Sequence, residues 1–475
     1  MNRDLLVDRG RDRSARPADR CQDAPGRRPR DHVRDLSAAL AAALLVLVAG
    51  LVGGAIQRRH HSLFVGLPPV FAQWEPHVGP GTPAALALAV AVVAHGPVVA
   101  ARLPWRALLL TVWGTAVAWT FSLALVDGWQ RGIAGRLTTT NEYLTVIGRF
   151  HDIPAALRDF THHILSHSPA PWPAHIAGHP PAATVTFVLL DRIGLGGGGW
   201  AGVWCITVGA TAGAAVLVAV RALADEQLAR RAAPFLVSAP AAVWMGTSAD
   251  GYFAAVAAWA VAFLALAVTG RRPRATGLAA GLLLGLTVYL SYGLTLFALI
   301  AGAALLLGHR RLGPLPYVVA GLAVVPAVFT LLGFNWWEAY RLLITRYYEG
   351  VGGIRPYGYW VWADLACTAL IVGPATVAGL RRAGSAPVRP RLPDLRACFR
   401  TAAPQLRLAL LVFAALIALL VADLSGMSKA ETERIWLPFA LWLLPACAFL
   451  PRPRAWLTAQ AALALLLNHL LLTGW

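Results

Sequence analysis

What most constrains this chain is its succession of apolar runs. Residues 37–56, 83–101, 107–126, 200–220, 233–248, 252–270, 275–291, 292–308, 314–334, 359–380, 406–423, 432–450 and 455–473 are nearly free of charge. Runs of this length match the hydrocarbon thickness of a bilayer. In lipid every backbone N–H and C=O must be paired within the chain, so such runs fold as helices. The spacing predicts an all-α polytopic membrane protein of about 13 transmembrane helices. Composition agrees, with 57% hydrophobic and 13% charged residues, against roughly 25% charged in soluble domains.

The formal charge of +18 rests almost wholly on arginine, Lys429 being the only lysine. The arginines sit between the apolar runs and in the first 36 residues. That placement speaks for membrane orientation rather than for nucleic acid. Residues 1–36 read as a disordered cytoplasmic tail. The run from Ser37 to Ile56 has no small-residue cleavage site and is followed by QRRHH, so it reads as a retained span. Arg102 and Arg106, 221–231, 271–274, 309–311, the basic loop 381–405 and 452–454 all fall on the cytoplasmic side if 179–221 makes one net crossing. Arg58 and Arg59 are the exception. The amino terminus is then inside and the carboxyl terminus outside. This arrangement gathers 127–178, Asp250, Ser291–Tyr292, 335–358 and 424–434 on the extracytoplasmic face of the plasma membrane.

The chain shows no internal repeat. It has no Walker A, dinucleotide fingerprint, HExxH or GxSxG. Its five cysteines are scattered and suggest neither zinc nor a disulfide framework.

Asp127 to Pro181 is a polar interruption of about fifty residues, the length at which loops carry function. In TTTNEYL (138–144), Asn141 or Thr140 reads as a helix cap with Glu142 in the first turn. Glu142 there either complements the helix dipole or acts as a general base. RFHDIPAALRDFTHHI (149–164) places Phe150, Ile153, Leu157, Phe160 and Ile164 at helical spacing, predicting amphipathic helices at the interface. Asp152, Arg158, Asp159, His162 and His163 take the polar positions, where a solvated face is the plain alternative. In HIAGHPP (175–181), Gly178 and the prolines argue against a regular helix and against a zinc pair at His175 and His179. His179 is expected to point back at the loop.

Two later stretches matter. Residues 334–360 combine Arg341, Arg346 and Arg355 with rings such as Tyr347 and Tyr357. They read either as an aromatic belt or as a surface for phosphate oxygens and sugar faces. In DLSGMSKAETERIWLPF (423–439), Glu431, Glu433 and Arg434 stand at the edge of a span, where charge defaults to a paired or functional role. Asp250 in TSADGYF has a similar setting in a short loop.

These features resemble the GT-C class of integral-membrane glycosyltransferases. The likeness lies in Glu142 in a large early loop, the interfacial helices of 149–164 and the turn His179-Pro180-Pro181. TTTNEYL, GHPPAATVTFVLLDRIGLGGGGWAG, TSADGYFAAVAAW, RYYEGVGGIRPYGYWVWADLA and DLSGMSKAETERIWLPF look most like the actinobacterial methylthioxylose transferases, from about residue 107 onward. The resemblance implies a polyprenyl-phosphate-linked sugar donor and a cell-envelope glycan acceptor such as the mannose caps of lipoarabinomannan. It implies Glu142 as catalytic base, with Asp152, Asp159 and His179 as further catalytic candidates. Arg346, Arg355, Tyr347, Tyr357, Glu433 and Arg434 would bind substrate. A divalent cation, Mg or Mn, is the one cofactor it allows. The rival classes are an arabinofuranosyl- or mannosyltransferase of the same fold and a lipid-linked sugar flippase.

Overall fold

The computed structural model describes residues 29–310, 312–385 and 403–474. The tail before residue 29 and most of the 381–405 basic loop lie outside the described residues. The chain is an all-α polytopic membrane protein. Among the described residues, eight helices are long and apolar enough to cross a membrane. They are α1 (Pro29–His60), α2 (Thr82–Arg102), α3 (Trp105–Asp127), α4 (Gly198–Leu223), α5 (Ala249–Val268), α6 (Pro273–Leu290), α7 (Tyr357–Gly384) and α8 (Pro404–Leu424). Leu315–Leu331 and Trp336–Glu349, bent by 76° at their junction, make a ninth if taken as one broken span. α1 begins at Pro29, so its first two turns fall in the stretch that reads as a tail in sequence.

Of the 13 stretches expected to span, eight are the long apolar helices α1–α8 and 314–334 falls in the bent pair. Three others are short or broken, and the fourth, 455–473, is an 18-residue helix, Pro453–Leu470, that runs into a strand. Residues 233–248 divide between Glu226–Val237 and Ala242–Met245. The stretch 292–308 is a 3₁₀ turn running into Phe297–Leu307. Residues 432–450 form three short turns, Thr432–Ile435, Leu437–Ala440 and Leu444–Phe449. Pro240, Pro438 and Pro445 interrupt the backbone ladder in these stretches. Residues 238–250 and 437–448 are buried in protein throughout, the one setting at membrane depth that tolerates irregular backbone. Each of the four still joins the two ends of the bundle.

One end is basic. Arg381 and Arg382 hold buried Asp35 at 3.0 and 2.6 Å. Arg230 donates to the carbonyls of Ala100 and Leu103 at 2.8 Å, and Arg231 to that of Leu450 at 3.1 Å. Arg407 donates to the carbonyls of Leu223 and Leu307. Guanidinium groups thus satisfy helix C-terminal carbonyls that have no partner within their own helices.

The other end is built from loops. The helix Ala182–Arg192 stays there, since Arg192 donates to the carbonyls of Phe150 and His151 at 3.1 and 2.7 Å. Residues 179–221 therefore make one net crossing, through α4. Strands β1 (Ala72–Trp74) and β2 (Leu471–Thr473) pair antiparallel and tie the first loop to the last described residues.

α5 runs through the core with nearly every residue buried. Its many alanines let neighbours come close. α6 and Leu315–Leu331 approach through Gly281 and Gly321, where an added Cβ would meet Val318 O at 2.1 Å or Leu278 O at 2.3 Å. The break in α7 at Gly373-Pro374 is bridged by Gln460, whose amide donates to Val372 O at 2.8 Å and accepts from Ala375 N–H at 3.4 Å.

Candidate active site

Glu142 sits where extended backbone (φ −98°, ψ 163°) meets the 3₁₀ stretch Tyr143–Phe150, and it makes no capping bond. It precedes the helix rather than lying in its first turn, which corrects the expectation of a cap at Asn141 or Thr140. The residue is only 5% exposed. Its Oε1 lies 2.9 Å from Nδ1 of His175. The backbone aligns the two segments, with His175 N–H donating to Asn141 O at 3.2 Å. His175 belongs to a single helical turn, Ala174–Gly178, opened after Pro173 and closed before Pro180. The same prolines that forbid a longer helix frame this turn.

The far edge of the ring is fixed as well. Nε2 of His175 lies 2.9 Å from Nη2 of Arg434. A guanidinium can only donate, so Nε2 accepts. Nδ1 then carries the proton and donates to Glu142, which defines one neutral tautomer. Arg434 also donates from Nη1 to Asp250 at 2.6 Å and from Nη2 to Glu431 at 3.0 Å. Burial opposes the charge on Arg434, but Asp250, Glu431 and Glu142 together hold its pKa above the ordinary arginine value.

Asp250 stands in the first turn of α5, capped by Ser248, where the helix dipole favours an acid. Ala430 and Glu431 both have positive φ, 68° and 59°. Such conformations cost about 1–3 kcal/mol each, and here they carry Glu431 to Arg434 and, at 3.7 Å, to Arg355. Burial pushes the Glu431 carboxyl up, yet Arg434 and Arg355 bring it net below the usual range.

A small cavity opens among Glu142, His175, Asp250, Arg434, Thr247 and Arg136. Arg136 donates to Asp127 at 2.9 Å and to Thr473 O at 3.3 Å. Asp127 in turn meets His77 at 2.8 Å.

The other sequence-predicted residues divide. Arg355 borders the cluster through Glu431 and donates to Leu63 O and Lys429 O. His179 lies behind it. Its Nδ1 is 2.7 Å from His175 O and 3.1 Å from the Tyr143 hydroxyl, and burial lowers its pKa to about 4. Its place is to hold the carbonyl of the turn that carries His175. Glu433 faces away and accepts from Phe71 N–H at 2.7 Å, with burial raising its pKa to about 7. Tyr347 accepts from Lys429 N–H and Tyr357 donates to Leu424 O, so both brace loops. Arg346 donates to Ile164 O.

Asp152 caps Ile153–Arg158 through Ala155 N–H. Exposed Asp159 binds His162 and His163, each at 2.8 Å. Neither acid touches the cluster. Phe150, Leu157, Phe160 and Ile164 are buried against protein, with Phe160 edge-on to Phe334 at 5.5 Å, rather than facing lipid.

Among the described residues no group of three or more His, Cys, Asp and Glu side chains is placed to hold a metal ion. Asp250 and Glu431 are turned onto Arg434 and Arg355, and Glu142 onto His175. As arranged, the donor set does not fit the divalent cation that the resemblance allows. Sequence reasoning passed over His175 as a ligand, gave Asp250 little weight and missed Arg136. The four-residue spacing of His175 and His179 was visible, but the partner of His175 lies 259 positions away.

By sequence the chain matches no family model and no curated protein. By structure it is similar to the Archaeoglobus fulgidus oligosaccharyltransferase. The apo form gives a TM-score of 0.43 at 14% identity over 72% of this chain and 50% of that one. The complex with Zn and sulfate gives 0.41 at 15% identity over 75% and 53%. The form tethered to an acceptor peptide gives 0.39 at 13% identity over 72% and 49%. The chain thus spans about half the length of the proteins it matches. No residue role is carried across at these identities.

Proposed function

We propose that the chain is a GT-C type glycosyltransferase acting at the outer face of the plasma membrane. It moves a pentose-type sugar, methylthioxylose by its sequence resemblance, from a polyprenyl-phosphate donor to a cell-envelope glycan such as the mannose caps of lipoarabinomannan. The observation that carries this reading is a buried glutamate, Glu142, bound at 2.9 Å to an oriented histidine on the wall of a cavity that also presents Arg136 and Arg434. The arginine-rich end supports the orientation, because basic residues stay inside.

The reaction assigned to this site is a single displacement. The Glu142 carboxylate takes the proton of the acceptor hydroxyl. The hydroxyl oxygen bonds to the anomeric carbon as the bond from that carbon to phosphate oxygen breaks. The electron pair leaves with the lipid phosphate, whose growing charge is met by the guanidinium groups of Arg136 and Arg434. His175, 2.9 Å away, keeps it aimed. A flippase would need charge along its whole path through the membrane. Among the described residues, the buried acids of α7 and α8, Asp364 and Asp423, lie within two turns of the loop end of their helices.

The test is Glu142→Gln in membranes supplied with a polyprenyl-phosphosugar. Transfer should fall about 10²–10⁴-fold, the usual effect of removing a general base, while thermal unfolding is unchanged. Near-normal turnover would sink the assignment. Glycan profiles of a deletion strain, beside one carrying Glu142→Gln, identify the sugar and acceptor.

A further inference from the structure

At the basic end, remote from Glu142, a cavity of about 500 Å³ opens between α2, the helix Glu226–Val237 and the segment that leads into Pro453–Leu470. Its inner wall is apolar: Pro97, Ala101, Pro234, Phe235, Cys447 and Leu450. Its mouth is charged, with Glu226, Arg230 and Arg231. Pro97 and Pro234 both lie inside helices, where the missing N–H and the ring bend the backbone. The two helices meet deeper, where a Cβ on Gly96 would stand 3.1 Å from Pro234. The cavity is thus a wedge between bent helices. Pro97 lies five residues before the end of α2 at Arg102, about 7–8 Å into the bundle at 1.5 Å per residue.

The charges at the mouth do not cancel. Glu226 accepts from Arg230 at 2.6 Å and from Arg221 at 2.7 Å. Asp225 is spent on capping its own helix through Leu228 N–H. Arg231 reaches Leu450 O. Arg102, Arg452 and Arg454 are exposed and adjoin the lining residues Ala101 and Pro453 in sequence. Among the described residues these arginines outnumber the two acids, at the end of α2 where its apolar run stops.

We infer that this wedge binds an anionic phospholipid of the inner leaflet, its phosphate at the arginine mouth and the start of its acyl chains against Pro97, Pro234 and Phe235. Two features speak for one occupant with both properties. A free anion would leave the apolar depth empty, and a neutral lipid would leave the arginine excess unanswered. The inner leaflet is where anionic headgroups and the positive-inside end of the protein meet. The inference rests on the basic end alone and stands whether or not Glu142 is a catalytic base.

The test uses the full-length protein in a neutral detergent, with retention of phosphatidylglycerol and phosphatidylcholine followed by native mass spectrometry. Phosphatidylglycerol should be retained preferentially. Ala101→Trp, at an exposed position on the wall, should fill the wedge and abolish that preference. Arg454→Gln, next to the lining residue Pro453, should lower retention about fivefold, the worth of one arginine near a lipid surface. Glu142→Gln should leave retention unchanged. Equal retention of the two lipids, or wild-type preference in Ala101→Trp, would overturn the inference. So would displacement of phosphatidylglycerol by inorganic phosphate, which would make the site one for a free anion. Arg454→Gln decides the matter should Ala101→Trp fail to fold.

Discussion

Nδ1 of His175 stands 2.9 Å from Oε1 of Glu142, and the opposite edge of the same ring stands 2.9 Å from the Arg434 guanidinium. A ring fixed between an acceptor and an obligate donor has one tautomer and one orientation. Glu142 is thereby aimed by two residues that sequence distance separates widely.

His175→Phe should leave the carboxylate unaimed and lower transfer about 10²-fold, the lower end of general-base effects. The loss should fall on kcat rather than KM. His175→Gln should recover part of the rate, because its amide can donate to Glu142 and accept from Arg434. Equal loss in both variants would show that the ring only fills space.

The Arg434–Asp250 pair is buried and 2.6 Å long. Asp250→Leu should destabilise the protein by about 3–5 kcal/mol, because it leaves a buried guanidinium short of a partner. Asp250→Leu with Arg434→Leu should be less destabilised than the sum of the single variants. Unfolding in mixed detergent micelles measures both. Simple additivity would mean that the pair contributes nothing as a pair.

Two buried groups set opposed responses to pH. Glu433 is raised from 4.5 to about 7. The folded state therefore binds the extra proton, and stability falls as pH rises from the unfolded toward the folded value, by at most about 1.4 kcal/mol per unit. His179 is lowered from 6.5 to about 4, so its contribution is complete above the unfolded value and is lost as pH falls through the folded one. Melting curves between pH 4 and 8 should show Glu433→Gln gaining on the parent as pH rises, and His179→Gln gaining on it as pH falls. Parallel curves would contradict both shifts.

Asp152→Asn should cost no more than the loss of an exposed cap, about 1 kcal/mol. Asp159→Asn should change stability by about 0.5 kcal/mol or less, as exposed positions do. Both should keep parental transfer rates. A large loss of transfer in either would return these acids to the site.

Much of this architecture was legible because lipid leaves few choices. An apolar run such as 252–270 must be a helix, and arginine placement orders the ends. Residues 432–450 misled because apolar character reports burial, not regularity. Surrounded by protein, they need no continuous helix. Glu142 stood out as an acid in a polar loop. His175 and Arg136 did not, because their meaning lies in partners brought together by the whole bundle. His175 read as part of a proline-framed turn, and one of its partners is a cation on the last polar loop. Asp152 and Asp159 look the same in sequence as Glu142, and only burial separates them.

The pairing of β1 with β2 joins residues 72–74 to 471–473, and Arg136 at the cavity wall leans on Thr473 O. In a chain made from its amino terminus, the first loop must wait for some four hundred further residues before its partner strand exists. Glu142, His175 and Asp250 are all translated long before the wall beside them can close. The cavity wall beside Arg136 thus closes only once residues 471–474 have been made, and a change that unpairs that strand would leave the site unfinished.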